Sequence, residues 1–282
     1  MSTRISWPQV LKATVRETIN DDAQGLAAEL SFHFFLSLFA MLLALVAFAS
    51  LFPLGNLTDQ MTRMLAPIAP AQVLSLISDQ MVAISQRPST GVLTVGLLMA
   101  LWSASAAMGA VVDALNHARG AVETRPWWRV RLISLLLTLG LAVFALVAMS
   151  LVVAGPQAAD ALSHRFGLGT AFAQTWNIVQ WPVAFWLVAV AIGLIYHFGP
   201  DKTRRWRWLT PGSVLATTLW LLGSLGFRLY VVRFKSFEGA YGTLGGVIVL
   251  MLWFYVFGLA IIIGAELDAE IERARGESGA RT

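Results

Sequence analysis

Cysteine is absent from the 282 residues, which excludes disulfides, thiolate nucleophiles, cysteine-bound zinc and iron–sulfur clusters. Charge is scarce as well. Asp, Glu, Lys and Arg together make up 13% of the chain, about half the quarter usual in soluble proteins. The four histidines, His33, His117, His164 and His197, show no HExxH or clustered spacing, so a hydrolytic metal site is not expected. A GxxxxGK[ST] phosphate loop and a GxSxG nucleophile turn are also missing, which leaves a nucleotide-driven pump or a serine hydrolase without recognisable parts. No catalytic residue, metal or cofactor is expected, and no enzymatic activity.

What is present is apolar. Residues of the AVILMFWYC set make up 57% before the 23 glycines are counted, against about 45–50% with glycine included for soluble domains. A bilayer core of about 30 Å needs about 20 apolar residues in a helix. Six stretches meet that requirement, at 27–51, 91–112, 132–153, 181–198, 211–232 and 244–264. The expectation is an all-α polytopic membrane protein of six transmembrane helices plus amphipathic interfacial helices.

Basic residues resist translocation and collect in cytoplasmic loops. With the N-terminus inside, fourteen of the twenty Lys and Arg residues fall on the cytoplasmic side, including Arg119, Arg125, Arg129 and Arg131. This bias accounts for the net charge of +4 without nucleic acid. Residues 1–22 contain no apolar core of a cleavable signal, so both termini are expected in the cytoplasm and the protein in the bacterial inner membrane. Trp7, Trp127, Trp128, Trp176, Trp181, Trp206 and Trp208 fall at predicted boundaries, where indole rings favour the headgroup layer.

Three regions follow: a cytoplasmic amphipathic N-terminal segment at 1–22, a six-span membrane domain at 23–272, and a cytoplasmic tail at 273–282. In the first, Val10, Leu11, Val15 and Ile19 among Lys12, Arg16 and Glu17 predict a short helix lying on the inner surface. Within the second, residues 52–90 carry Pro53, Pro67, Pro70 and Pro88, with apolar residues at helical spacing between them, and predict helices resting on the outer surface. Ser103, Ala104, Ser105, Ala106, Ala107, Gly109 and Ala110 make the second span small nearly all round, so it should sit centrally in the bundle.

A charge inside a spanning segment costs about 2.5–3.5 kcal/mol and marks a partner, a cavity or a pathway. Glu29 and His33 lie four apart on one face near the inner end of the first span; Asp113 and Asn116 occupy the inner end of the second; Glu266 follows the sixth. Together they permit a polar vestibule that binds a cation or proton. The rival reading pairs Asp113 and Glu266 with nearby arginines to lock helix ends. On the outer side, Arg228, Arg233 and Lys235 break the charge rule, either as headgroup anchors or as a site for an anionic group such as a lipid phosphate.

Four stretches resemble the YihY/BrkB membrane proteins. They are Glu29-Leu30-Ser31-Phe32-His33-Phe34-Phe35; Leu101-Trp102-Ser103-Ala104-Ser105 continuing to Asp113-Ala114-Leu115-Asn116; Pro211-Gly212 through Leu219-Trp220; and Tyr241-Gly242-Thr243-Leu244-Gly245-Gly246 continuing to Gly264-Ala265-Glu266-Leu267. The likeness covers about residues 10–272. It implies a six-span inner-membrane protein with cytoplasmic termini. Members have carried the label ribonuclease BN, and others are linked to serum resistance, envelope lipid export or cation/proton exchange; no ribonuclease site is legible in this sequence.

The function expected is that of a transporter or permease-like protein, moving a proton-coupled cation or an envelope lipid through a central polar site of Glu29, His33, Asp113, Asn116 and Glu266. The alternative is a scaffold for envelope assembly that transports nothing. The expected partners are membrane lipids, a small cation or proton, and a second copy of the chain, with no nucleic acid.

Overall fold

In the computed structural model of this chain the described residues are 6–49, 90–166, 169–201, 208–233 and 243–276. Every regular element among them is an α-helix: α1 (Trp7–Asn20), α2 (Ala23–Ala49), α3 (Thr90–Ala118), α4 (Trp127–Phe166), α5 (Gly169–Phe198), α6 (Pro211–Arg233) and α7 (Thr243–Ala274). The interfacial segment expected over 52–90 lies outside the described residues apart from Thr90.

Five helices among the described residues are long and apolar enough to cross a membrane, over Leu98–Ala118, Trp127–Val152, Gln174–Phe198, Pro211–Tyr230 and Gly245–Ala274. The first predicted span falls on α2, a continuous helix of 27 residues, which at about 1.5 Å per residue exceeds the ~30 Å hydrocarbon core. Its side chains from residue 39 onward lie outside the described set. A helix apolar on every side needs an apolar solvent. In α4 only 6% of the span is buried inside the protein, and Leu136, Val143 and Leu146 are exposed. The chain is an all-α, multi-pass membrane protein. The span in α3 is the most enclosed of the five, with 44% buried, as small residues on most of its faces predict.

Several helices outrun their predicted spans, α4, α5 and α7 by the most. α4 continues through Pro156 to Phe166 and α5 starts at Gly169, with Pro182 inside it. Trp176 and Trp181, expected at a boundary, lie inside α5, and the two prolines do not end their helices because within a membrane bundle neighbouring groups re-satisfy the carbonyl that a proline frees. α7 extends ten residues past the sixth apolar stretch, to Ala274, and carries Glu266 and Asp268 with it.

The described residues form two compact units. The first draws on 1–23, 112–220 and 260–282, the second on 24–111 and 221–259. In the second unit α2 packs on α7: Gly258 faces Leu30 and Ala27, where an added Cβ would approach Leu30 Cβ to 3.2 Å, and Phe34 meets Phe254 and Phe257 with ring centroids 5.8 and 5.5 Å apart. Trp253 Nε1 donates to Ser224 Oγ at 3.3 Å, joining α7 to α6.

In the first unit α1 docks through Val10 on Leu267 and Ile271 of α7, with Leu215 of α6 beside them. Its opposite face, Trp7, Leu11, Val15 and Ile19, is exposed. At the start of α6, Thr210 and Ser213 form a reciprocal cap: Ser213 N–H donates to Thr210 Oγ1 at 3.0 Å and Thr210 N–H to Ser213 Oγ at 3.1 Å. Two of the four orphan donors at a helix start are satisfied in this way.

Candidate functional site

The most buried acidic groups of the first unit lie on the last third of α7. Glu266 and Asp268 are both 0% exposed. Asp268 Oδ1 accepts the Gly212 N–H at 2.9 Å, a carboxylate at a helix N-terminus, where donors and dipole favour it. That contact requires Gly212: a Cβ there would strike the Asp268 carboxyl and the Gly264 carbonyl oxygen.

Among the described residues Glu266 has no such donor: neither of its carboxylate oxygens has a hydrogen-bond partner there, and neither has Asp21 Oδ2, also buried. Three charged groups act on Glu266: Asp21, which lies within hydrogen-bonding reach of it, Arg273 and Glu17. Arg273 is engaged elsewhere, paired with Glu270 and reaching the Ala118 carbonyl at 3.5 Å. Glu17 is held by Arg16 at 3.0 Å.

Local sequence explains how Asp21 arrives at this place. Val10, Thr14, Glu17 and Asp21 recur at helical spacing on one side of α1, and the first three are buried. The side turned to the protein is thus the polar one at its C-terminal end. Asp21 caps the helix with its backbone N–H on Glu17 O, and Asp22 at φ 48° turns the chain into α2, a left-handed conformation that Asp tolerates better than most residues. Asp21 and Glu17 are not among the site residues expected from sequence. The signal was present in that 10, 14, 17, 21 spacing, but a charged face on a surface helix is ordinarily read as the one turned to water.

Asn116 is buried and fully used. Its Nδ2 donates to Glu123 Oε2 at 2.9 Å and its Oδ1 accepts the Asp201 N–H at 3.0 Å. Arg125 completes this knot, pairing with Glu123 at 2.6 Å and Asp201 at 3.2 Å and donating to the Gly199 carbonyl at 2.8 Å. Hydrogen bonds from the Arg125 side chain hold the Glu123 carboxyl down to about 2, against the upward push of partial burial. The same bonds raise the pKa of Arg125. The knot joins the end of α3, the 119–126 connection and the end of α5.

Asp113 is exposed and lies within the field of Arg125. Glu29 and His33 belong to the second unit, where His33 Nε2 stands 3.9 Å from Glu29 Oε1 and the Glu29 side chain is 61% exposed. Arg228 is exposed on α6; the Arg233 side chain and Lys235 lie outside the described residues. Among the described residues no group of three His, Asp or Glu side chains is arranged to hold a metal ion.

A sequence model of the family Virulence factor BrkB matches residues 14–282. The ribonuclease-like protein YfkH of Bacillus subtilis (strain 168) is 34% identical over 254 residues, covering 90% of this chain and 92% of that protein. The UPF0761 membrane protein Smlt0865 of Stenotrophomonas maltophilia (strain K279a) is 34% identical over 86 residues, 30% of this chain and 20% of that protein. A UPF0761 membrane protein of Tolumonas auensis is 33% identical over 78 residues, 28% of this chain and 26% of that protein. No solved structure matches the chain. With nearly its whole length matched by the family and its helices apolar enough to span a bilayer, this chain belongs to the BrkB family of membrane proteins.

Proposed function

We propose that the protein is a non-enzymatic, permease-like carrier of a proton or small cation in the bacterial inner membrane, with both termini cytoplasmic, and that Glu266 with Asp21 forms its binding pair. One observation carries this reading: the Glu266 carboxyl is wholly enclosed on a membrane helix and neither of its oxygens receives a donor among the described residues. A charge left in such a place is expensive unless it is neutralised. Two facing carboxyls accept a shared proton or a cation between them, and intramembrane acids of this kind mark ion pathways. Asn116 and the Arg125 knot hold the ends of α3 and α5 together.

The test uses full-length protein in liposomes, with internal pH and cation content followed by fluorescent indicators under an imposed gradient. Glu266→Gln and Asp21→Asn are expected to reduce flux at least tenfold while the protein remains monodisperse. Flux equal to the wild type in both variants removes the pair from the mechanism. Absence of flux in the wild type itself would favour the scaffold reading, which the Asn116, Glu123, Arg125 and Asp201 knot supports as a purely structural device.

A further inference from the structure

A groove of about 560 Å³ lies between α4 and α5, within the range of small-molecule sites, about 300–1,000 Å³. Its polarity is confined to one end. Arg125, Arg129 and Asp201 stand at the mouth, and every other lining residue is apolar or glycine. From Arg129 through Ile133, Leu137 and Gly140 to Phe144 the lining climbs one face of α4, about 22 Å at ~1.5 Å per residue. That covers the roughly 15 Å depth of one leaflet of a ~30 Å hydrocarbon core.

The charges at the mouth are unequal. Arg125 and Asp201 are committed to one another at 3.2 Å, whereas the Arg129 side chain has no hydrogen-bond or ion-pair partner among the described residues. Trp127 and Trp128, immediately before it, are both exposed, the placement indole rings take at the headgroup layer. A free guanidinium at headgroup depth, above an apolar channel one leaflet deep, complements a phosphodiester joined to an acyl chain; the planar fork of arginine meets phosphate oxygens in pairs. Halfway along, a Cβ added to Gly140 would meet nothing within 4 Å, so the channel is open where a chain would lie.

We propose that the groove between α4 and α5 is a binding site for one glycerophospholipid, its phosphate on Arg129 and one acyl chain laid past Gly140 toward Phe144. The site is independent of the Glu266 pair.

Native mass spectrometry of the full-length protein in detergent, titrated with phosphatidylglycerol, tests it. One lipid is expected to be retained more tightly than the rest. Gly140→Trp fills the channel in open space, and Arg129→Gln alters an exposed side chain, so both variants should fold; each is expected to weaken retention of that lipid at least tenfold. Arg165→Gln, near the far end of α4, should leave it unchanged, and palmitate, which lacks the phosphate, should not compete. Retention by Gly140→Trp equal to the wild type overturns the groove. Retention by Arg129→Gln equal to the wild type, or equal competition by palmitate, overturns the phosphate assignment.

Discussion

Gly212 and Gly264 face one another backbone to backbone, so that a Cβ on either would run into the carbonyl oxygen of the other. This approach seats the first turn of α6 on α7 and brings the Gly212 N–H to Asp268. Tyr196 closes the same contact from α5, donating from its hydroxyl to the Ile261 carbonyl at 2.5 Å.

Alanine should therefore act with opposite sign at two glycines. At Gly264 the new methyl meets Gly212, the Tyr196 hydroxyl and Ala216, and overpacking of this kind costs about 1–3 kcal/mol. At Gly140 it meets nothing, and relief of glycine's backbone entropy stabilises a helix by about 0.5–1 kcal/mol. Thermal unfolding in detergent should lower the midpoint for Gly264→Ala and hold or raise it for Gly140→Ala; equal midpoints would contradict the close approach.

The Arg125 knot predicts a pH dependence. The folded Glu123 carboxyl is held at about 2, below its ordinary 4.5. A depressed acid contributes stability that is fully present above the unfolded value and is lost as pH falls through the folded one. Its side chain is 24% exposed, so screening leaves a contribution of about 2 kcal/mol. Glu123→Gln should destabilise by about that much at pH 7, and the gap to the wild type should close between pH 4.5 and 2. A gap constant across that window would show that Glu123 acts by packing alone.

At Glu266 stability and function should separate. Because the carboxyl is buried without a donor, replacing it by Leu removes a desolvation cost, and exchanges of this kind are neutral or stabilising by about 1–4 kcal/mol. Glu266→Leu should unfold no earlier than the wild type while losing the flux assigned to the pair. A large drop in the unfolding midpoint would identify a structural partner for the carboxylate.

The exposed stripe of α1 makes the fourth prediction. With no native cysteine, a single Leu11→Cys or Val15→Cys carries a nitroxide label uniquely. In liposomes both labels should be relaxed strongly by oxygen and weakly by a water-soluble nickel chelate, as for residues sunk into the headgroup boundary. Strong relaxation by nickel at both positions would place this face in water.

The membrane helices, the small-residue character of α3, and the existence of α1 were all readable from residue order. So was the position of Glu266, a carboxyl following an apolar run. What was not readable was its company. The Val10, Thr14, Glu17 and Asp21 spacing marks a face but does not say what the face meets, and here it meets α7 while the apolar face stays exposed. Asn116 likewise stood out as a polar residue at a helix end, but its commitment to Glu123 and Asp201 depends on a connection and a turn with no periodic pattern of their own. Arg125, expected as a cytoplasmic charge and as one of the arginines within reach of Asp113 or Glu266, is the centre of that knot.

The amino-acid order alone determined that this chain crosses a bilayer as helices, because a helix satisfies its own backbone groups and a run of about 20 apolar residues is a local property. Only the tertiary structure decided that Asp268 is supplied with an N–H while Glu266 is not, that Asp21 rather than an arginine stands within reach of Glu266, and that one guanidinium among the basic cluster is left free above an apolar groove. Those outcomes depend on which helices approach closely enough to exclude water, and the distance between side chains remote in sequence is set by packing, not by composition.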